Sequence, residues 1–268
     1  MYSLMYHGQT AEDCGAWLAT IPIVQPSEAI RDRWTVPMVG ELVGSSVYYG
    51  NAHIKCTFHF RSQNSNEVME NLKEWLIVDS SLDLEYINLG INRLVITDKY
   101  NTIENEKERV YDVLNITYNE ELRKSDDYGR LTVDFEVKPI EYSHDSFELV
   151  RVDQTGSITN PHASTIAKPL YELTWSQSEV TSEKRLIVNN KIFKIKNMSL
   201  PSGNVQTMII DSEKMLAYSL SDTMHPLDNL NSRIEGDYED LWLKAGTNSI
   251  SNTNLSYIWM RPKWGGRV

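Results

Sequence analysis

Six histidines, two cysteines and a few acidic groupings are the side chains through which this chain could hold a metal or move a proton. Their spacing does not assemble a site. His53 and His59 stand six apart on one alternating segment, about 20 Å when extended, too far to share a metal ion without a bend. His7, His144, His162 and His225 are scattered singly. Asp79, Asp83 and Glu85 are the nearest approach to a carboxylate pair for acid–base work, and read more simply as a solvated helix end and loop. Asp126-Asp127 lacks the spaced oxygen ligands of a calcium loop and reads as a turn. Glu104-Asn105-Glu106-Lys107-Glu108-Arg109 mixes signs as a solvated loop or protruding hairpin does, and its functional reading is a contact with a neighbouring subunit. The phosphate-cradling glycine loops, the G-x-S-x-G elbow, H-E-x-x-H and C-x-x-C do not occur. No catalytic, cofactor-binding or metal-ligating residue is therefore assigned, and the chain is read as a non-enzyme without cofactors. Cys14 and Cys56 are too few for a disulfide framework and are expected as reduced thiols in or near the core. The sequons Asn115-Ile116-Thr117 and Asn197-Met198-Ser199 carry meaning only in a secretory pathway.

The aromatic residues offer a different chemistry, stacking on sugar rings. Trp175, Trp242, Trp259 and Trp264 are the candidates, on the face of a carbohydrate-binding module that touches a host wall. Alternation places Trp175 and Trp259 with tyrosine and leucine partners, which predicts a core role for both. Trp264 sits beside Gly265-Gly266 with Arg261, Lys263 and Arg267 nearby. That setting predicts an exposed residue, and makes Trp264, Arg261 and Lys263 the candidate protein contact.

Elements must position these groups, and composition bounds them. At 268 residues the chain has room for one large or two ordinary domains. A hydrophobic share of 41% with 24% charged residues fits a soluble globular protein. Fourteen tyrosines and seven tryptophans against thirteen glycines favour strands over flexible linkers. No apolar run of about 18 residues or more exists, so no helix is expected to cross a membrane. The opening Met1-Tyr2-Ser3-Leu4-Met5-Tyr6-His7 lacks a basic and then apolar leader, so export by a signal peptide is not expected. Of the net charge of −11, residues 1–142 carry 23 acids and 13 bases, or −10, and residues 143–268 carry 14 and 13, or −1. An acidic first half argues against direct nucleic-acid binding, which needs a basic footprint.

Walking the chain, Ile21-Pro22-Ile23-Val24-Gln25-Pro26 reads as extended and residues 36–50 as a loop or hairpin. Ile54, Cys56, Phe58 and Phe60 share one face of a strand. After Ser65-Asn66, the residues Val68, Leu72, Trp75 and Leu76 fall at helical spacing, with Glu67 and Glu70 suited to the helix start. Further strands follow over 84–122, including 94–97 and 110–116. Asp126-Asp127-Tyr128-Gly129 reads as a turn into a strand where Leu131, Val133, Phe135 and Val137 alternate until Pro139. The pattern fades from about 140 to 168, which reads as a connection between domains. Beyond it, Tyr171, Leu173 and Trp175 alternate. Val188-Asn189-Asn190-Lys191 reads as a hairpin turn, because asparagine tolerates positive φ. Met208–Met215 reads as strand–turn–strand, and Leu255, Tyr257 and Trp259 alternate near the end. Short strands at this spacing predict a mainly β chain whose second part is a β-sandwich.

The order of these signals resembles the distal tail (Dit) proteins of siphophages that infect Gram-positive bacteria. It runs through Thr159-Asn160-Pro161, Lys168-Pro169-Leu170-Tyr171-Glu172-Leu173, Val188-Asn189-Asn190-Lys191-Ile192-Phe193 and Ile210-Asp211-Ser212-Glu213-Lys214-Met215. It ends with Lys244-Ala245-Gly246-Thr247-Asn248-Ser249-Ile250 and Arg261-Pro262-Lys263-Trp264. Thr174-Trp175-Ser176 departs from it, standing where many relatives have a glycine-containing turn. The resemblance implies two domains, a tail-tube-like β-sandwich or barrel with one helix over 1–142 and a galectin-like β-sandwich over 143–268, the last residues returning to the first. It implies a homo-hexameric ring at the virion tail tip, assembled in the host cytoplasm, with a central channel through which DNA passes unbound and no insertion into a membrane. Its partners would be the tail-tube proteins on one face, a tail-associated lysin or tail fibre on the other, and receptor-binding or baseplate proteins outside. With no long insertion, the chain resembles the short form without an added carbohydrate-binding module.

Overall fold

The computed structural model describes residues 2–36, 40–61, 65–78, 92–98, 108–125, 128–152, 155–162, 165–176, 182–196, 205–220 and 226–268. The chain is mainly β, with one α-helix among the described residues, as expected. It divides into two compact units, the first holding residues 1–80, 90–141 and 267–268 and the second holding 142–266.

In the first unit the strands are β1 (Tyr2–Tyr6), β2 (Gln9–Thr10), β3 (Ala16–Leu18), β4 (Ile23–Gln25), β5 (Ala29–Val36), β6 (Gly40–Tyr49) and β7 (Ala52–Arg61). After α1 (Ser65–Trp75) come β8 (Arg93–Asp98), β9 (Glu108–Ser125), β10 (Tyr128–Val137) and β11 (Ile140–Ser143). They form a sheet in the order β2-β1-β8-β9-β10-β7-β3, with β4 also on β7. The pair β5–β6 is a separate two-stranded ribbon, so most of 36–50, expected as a loop or hairpin, is one strand over Gly40–Tyr49 paired with Ala29–Val36. The alternation in β7 and β10 predicts the core correctly. Ile54 faces Phe135, Cys56 faces Val133 and Phe58 faces Leu131, all fully buried. Val68, Leu72 and Trp75 of the helix, with Leu76 just past its end, close that core, and Trp75 Nε1 donates 2.7 Å to the Tyr6 carbonyl. Gly129 lies in β10, not in a turn. A Cβ there would stand 2.1 Å from Phe60 Cζ, so the glycine makes room for the ring facing it across the pair.

In the second unit the strands are β12 (Val150–Val152), β13 (Thr155–Asn160), β14 (Leu170–Ser176), β15 (Lys184–Val188), β16 (Lys191–Ile195) and β17 (Val205–Asp211). They continue with β18 (Leu216–Leu220), β19 (Pro226–Asn229), β20 (Ile234–Glu235), β21 (Gly246–Thr253), β22 (Tyr257–Arg261) and β23 (Gly265–Arg267). Two sheets result, β12-β22-β14-β17-β18-β19 and β13-β21-β15-β16-β20, while β11 joins β9 in the first unit's sheet. Their facing residues, among them Tyr171, Leu173, Trp175, Phe193, Ile210 and Met260, share one core.

Two expectations fail here. Residues 150–152 and 155–160 are not a connection but edge strands of the two sheets. Their hydrophobic signal is weak because an edge strand buries little and β13 alternates exposed hydroxyls with half-buried positions. In β22 it is Ile258 and Met260 that are buried, with Tyr257 and Trp259 on the opposite face. Leu255 precedes the strand, so the apparent alternation of Leu255, Tyr257 and Trp259 runs across its start and inverts the register. The segment Thr174-Trp175-Ser176 completes β14 without a turn.

Candidate functional site: the closing segment and the sheet edges

The residues expected to offer a contact, Arg261, Lys263 and Trp264, are turned inward. Trp264 is only 8% exposed and belongs to the second core. A tryptophan flanked by glycines and bases looks exposed in sequence; here it packs into the second unit's core. Lys263 takes φ +53°, its amide donates 2.8 Å to the Ser146 carbonyl, and its Nζ lies 3.4 Å from Glu213 and 3.9 Å from Asp211. Arg261 donates 2.5 Å to the Phe147 carbonyl. Arg261 and Lys263 thus tie the end of the fold to segments fifty or more residues away.

The other motif residues act in the same way. Asp211 Oδ1 accepts from the amides of Glu213 and Lys214 at 3.0 and 3.1 Å, which shapes the turn between β17 and β18. Ser212 Oγ donates 2.7 Å to the Pro169 carbonyl, and the Ser212 carbonyl accepts 3.1 Å from Trp242 Nε1. Lys168 Nζ sits 4.8 Å from the centre of the Trp242 ring. Asn160 receives the His162 amide at 3.1 Å and donates to the Thr165 carbonyl at 3.1 Å, while Thr165 Oγ1 donates to the Gly265 carbonyl. Asn248, fully buried, donates to the Lys244 and Gly246 carbonyls and accepts from the Lys244 amide and Asn189 Nδ2, all at 2.8–2.9 Å. Asn189 and Asn190 take φ +50° and +66° and make the two-residue turn predicted between β15 and β16. Sequence signals spread over a hundred residues converge on a few polar nodes that fix turns, and none of them presents a reactive group.

The remaining candidates divide as follows. His53 pairs with Asp134 at 3.2 Å, and His59 meets the Tyr128 hydroxyl at 3.1 Å, each with its own partner on β10. Among the described residues no group of three or more metal-ligating side chains converges. Cys56 is buried in the core as expected, which pushes its thiol well above the usual range, and burial beside Asp13 pushes Cys14 up as well. Cys14 lines a cleft of about 450 Å³ with His7, Asp13, Asn71, Glu74 and Trp75. A raised thiol is the reverse of what a cysteine nucleophile needs, and His7 is stacked on Tyr6 at 4.1 Å. Of the four tryptophans, Trp175 and Trp264 are core residues, while Trp259 is half-buried. Asp79, Asp83, Glu85, Asp126, Asp127, the 104–107 run and His225 lie outside the described residues, as does the side chain of His144.

What the surface does present is apolar side chains at open sheet edges of the first unit. Ile21, Ile23 and Ile30 are 61, 58 and 52% exposed within ten residues. Among the described residues β4 pairs with β7 alone. At the opposite side of the same sheet, among the described residues, β8 covers β9 only over Glu108–Asp112, and β9 otherwise pairs with β10 and β11. Leu114 and Tyr118 there are each 42% exposed. Nothing in the sequence distinguished these edges, because edge position is a property of pairing partners.

The fold matches solved tail proteins of bacteriophages from end to end. The chain superposes on the SPP1 Dit protein, described as a paradigm of the hub adsorption apparatus in phages that infect Gram-positive bacteria, with TM-score 0.55 and 10% identity over 97% of both chains. It superposes on a chain of the phage P2 baseplate in its activated conformation, with calcium or with strontium, at TM-score 0.54 and 9% identity over 97% of this chain and 96% of that one. By sequence, no protein-family model and no curated protein matches it. Its structural neighbours are thus phage hub and baseplate components.

Proposed function

We propose that this chain is a non-enzymatic assembly subunit of a phage tail tip, a Dit-like hub that forms a homo-hexameric ring. Support comes from the match over 97% of the length of both chains, which covers both units. Residues 1–142 would build the ring, similar to tail-tube proteins, and 143–268 would form a peripheral galectin-like sandwich, with the last residues returning to the first part. The ring would join the tail tube to a lysin or fibre and hold receptor-binding proteins outside, as the short form of the family. It would assemble in the host cytoplasm and end at the virion tail tip.

The edges described above suit that role. An open apolar edge at each side of one sheet gives a subunit both halves of a head-to-tail contact, and a head-to-tail contact that closes makes a ring. The charge of −10 on residues 1–142 would repel DNA phosphates wherever it lines the channel and let the genome slide. Light scattering on the eluted protein and electron microscopy of the same sample test the reading. A six-fold ring is expected; a monomer at all concentrations overturns it, and a basic channel lining would remove the charge argument alone.

A further inference from the structure

Among the described residues the strands β5 and β6 pair only with each other, and a two-stranded ribbon alone is marginal in water. Contacts that hold it lie at its base. The Gly50 amide, just past β6, donates 3.0 Å to the Glu28 carbonyl, just before β5. Two residues from far along the chain add to this. The Arg267 guanidinium sits 3.6 Å from the centre of the Tyr49 ring, at the end of β6. Ser27 Oγ, two residues before β5, donates 3.2 Å to the Val268 carbonyl oxygen. The Val268 amide in turn donates 3.3 Å to the Pro139 carbonyl, and its side chain packs against the first core. Residues 267 and 268 therefore hold the base of the ribbon at both strands and rest on the body of the first unit, to which they belong.

We propose that Arg267 and Val268 are a strap that closes on the base of the ribbon and holds self-association back until the second unit has been made. The order of the chain sets the timing. Residues 142–266 form the second unit, so synthesis reaches the strap after all of it, and until then the Ser27 hydroxyl and the Tyr49 ring have neither partner. Ser27 lies in Pro26-Ser27-Glu28, the connector between β4 and β5. That connector divides the exposed apolar patch, with Ile21 and Ile23 before it and Ile30 after it. A patch divided by a loose connector must be ordered at the moment of binding, which lowers affinity, whereas a pinned one is ordered beforehand. A cation over an exposed ring and one neutral hydrogen bond together shift such an ordering by about tenfold. That is enough to separate a growing chain from a finished one and too little to hold the fold. The partner, a second copy of this chain, comes from the ring reading; the strap itself stands on contacts inside the first unit.

Hydrogen exchange and concentration-dependent light scattering on the full chain test it, comparing the parent with the double variant Arg267→Ala and Ser27→Ala, which stands in for a chain whose strap has not arrived. Neither side chain belongs to the first core, so circular dichroism should not change. Exchange over 29–36 and 40–49 should quicken by about tenfold, and exchange over 52–61 and 128–137 should stay as it was. The concentration at half-assembly should rise by about tenfold as well. Arg267→Lys alone, which keeps a cation over the ring, should stay close to the parent in both measurements. Unchanged exchange in the ribbon overturns the strap, and so does an equal rise over 52–61, which would mark a brace of the whole core. A loosened ribbon with unchanged assembly overturns the delay. A parent that is monomeric at every concentration removes the hub reading and the delay with it, whereas a parent and a double variant that assemble equally well remove this proposal alone.

Discussion

The two units expose different things at their sheet edges. The first leaves isoleucines, a leucine and a tyrosine at the open sides of its sheet; the second finishes its five-stranded sheet in threonine and serine at one side and Glu235 at the other. An apolar open edge invites a protein strand or surface, and a hydroxylated or charged edge stays in water or meets polar ligands. The cores differ as well. The first is set by long alternating strands packed around Trp75, Phe58 and Tyr6, the second by shorter strands whose turns are pinned by buried polar side chains such as Asn248 and Asp211.

Substitutions separate these two ways of building. The largest effect is expected from Trp264→Ala and Phe58→Ala, each destabilising by about 3–5 kcal/mol because both rings fill a core. Hydrogen exchange should rise over 128–137 for Phe58→Ala and over 257–264 for Trp264→Ala. A Trp264→Ala protein that keeps its parent's exchange pattern would restore the contact role read from the sequence. Asn248→Ala comes next, at about 2–3 kcal/mol, since it strands buried carbonyl and amide partners. It should loosen the 185–195 hairpin and leave 52–61 protected. At the hairpin turn, Asn190→Val should cost about 1–2 kcal/mol because φ is +66°, while Asn190→Gly should be close to neutral; denaturant midpoints distinguish the two.

Alkaline pH acts on buried tyrosines in both units. Burial pushes Tyr238 up to about 12 and raises Tyr111 and Tyr171 further, against about 10 for an exposed phenol. A folded pKa above the unfolded one means stability is full below about pH 10 and falls as pH rises through the folded values. Tertiary circular dichroism should therefore weaken above about pH 10, and a flat signal to pH 12 would contradict the burial. The smallest stability change is expected for Ile21→Glu with Ile23→Glu, within about 0.5 kcal/mol because both residues are exposed. The same variant should lower the oligomeric state measured by light scattering, and unchanged assembly would show that the β4 edge makes no subunit contact.

Much of the fold was legible. The β7 and β10 alternations, the α1 periodicity and the Asn189-Asn190 turn follow from spacing and φ preference, which are local. The β22 face was inverted because Leu255 lies outside the strand, and residues 150–160 lost their strand signal because edges bury little. The site was legible only by elimination. His53 and His59 have separate partners, and the segments that carried the resemblance proved to be turn anchors.

By itself the sequence determined which segments alternate, where the helix forms, which turns need positive φ and that the first half is acidic, since each depends on near neighbours in the chain. Tertiary structure alone decided that Trp264 is covered, that Gly129 is a space for Phe60, which edges stay open, and that the hydroxyls of β13 and β21 share one face. Those properties depend on which distant strand lies alongside, and no local preference encodes the partner.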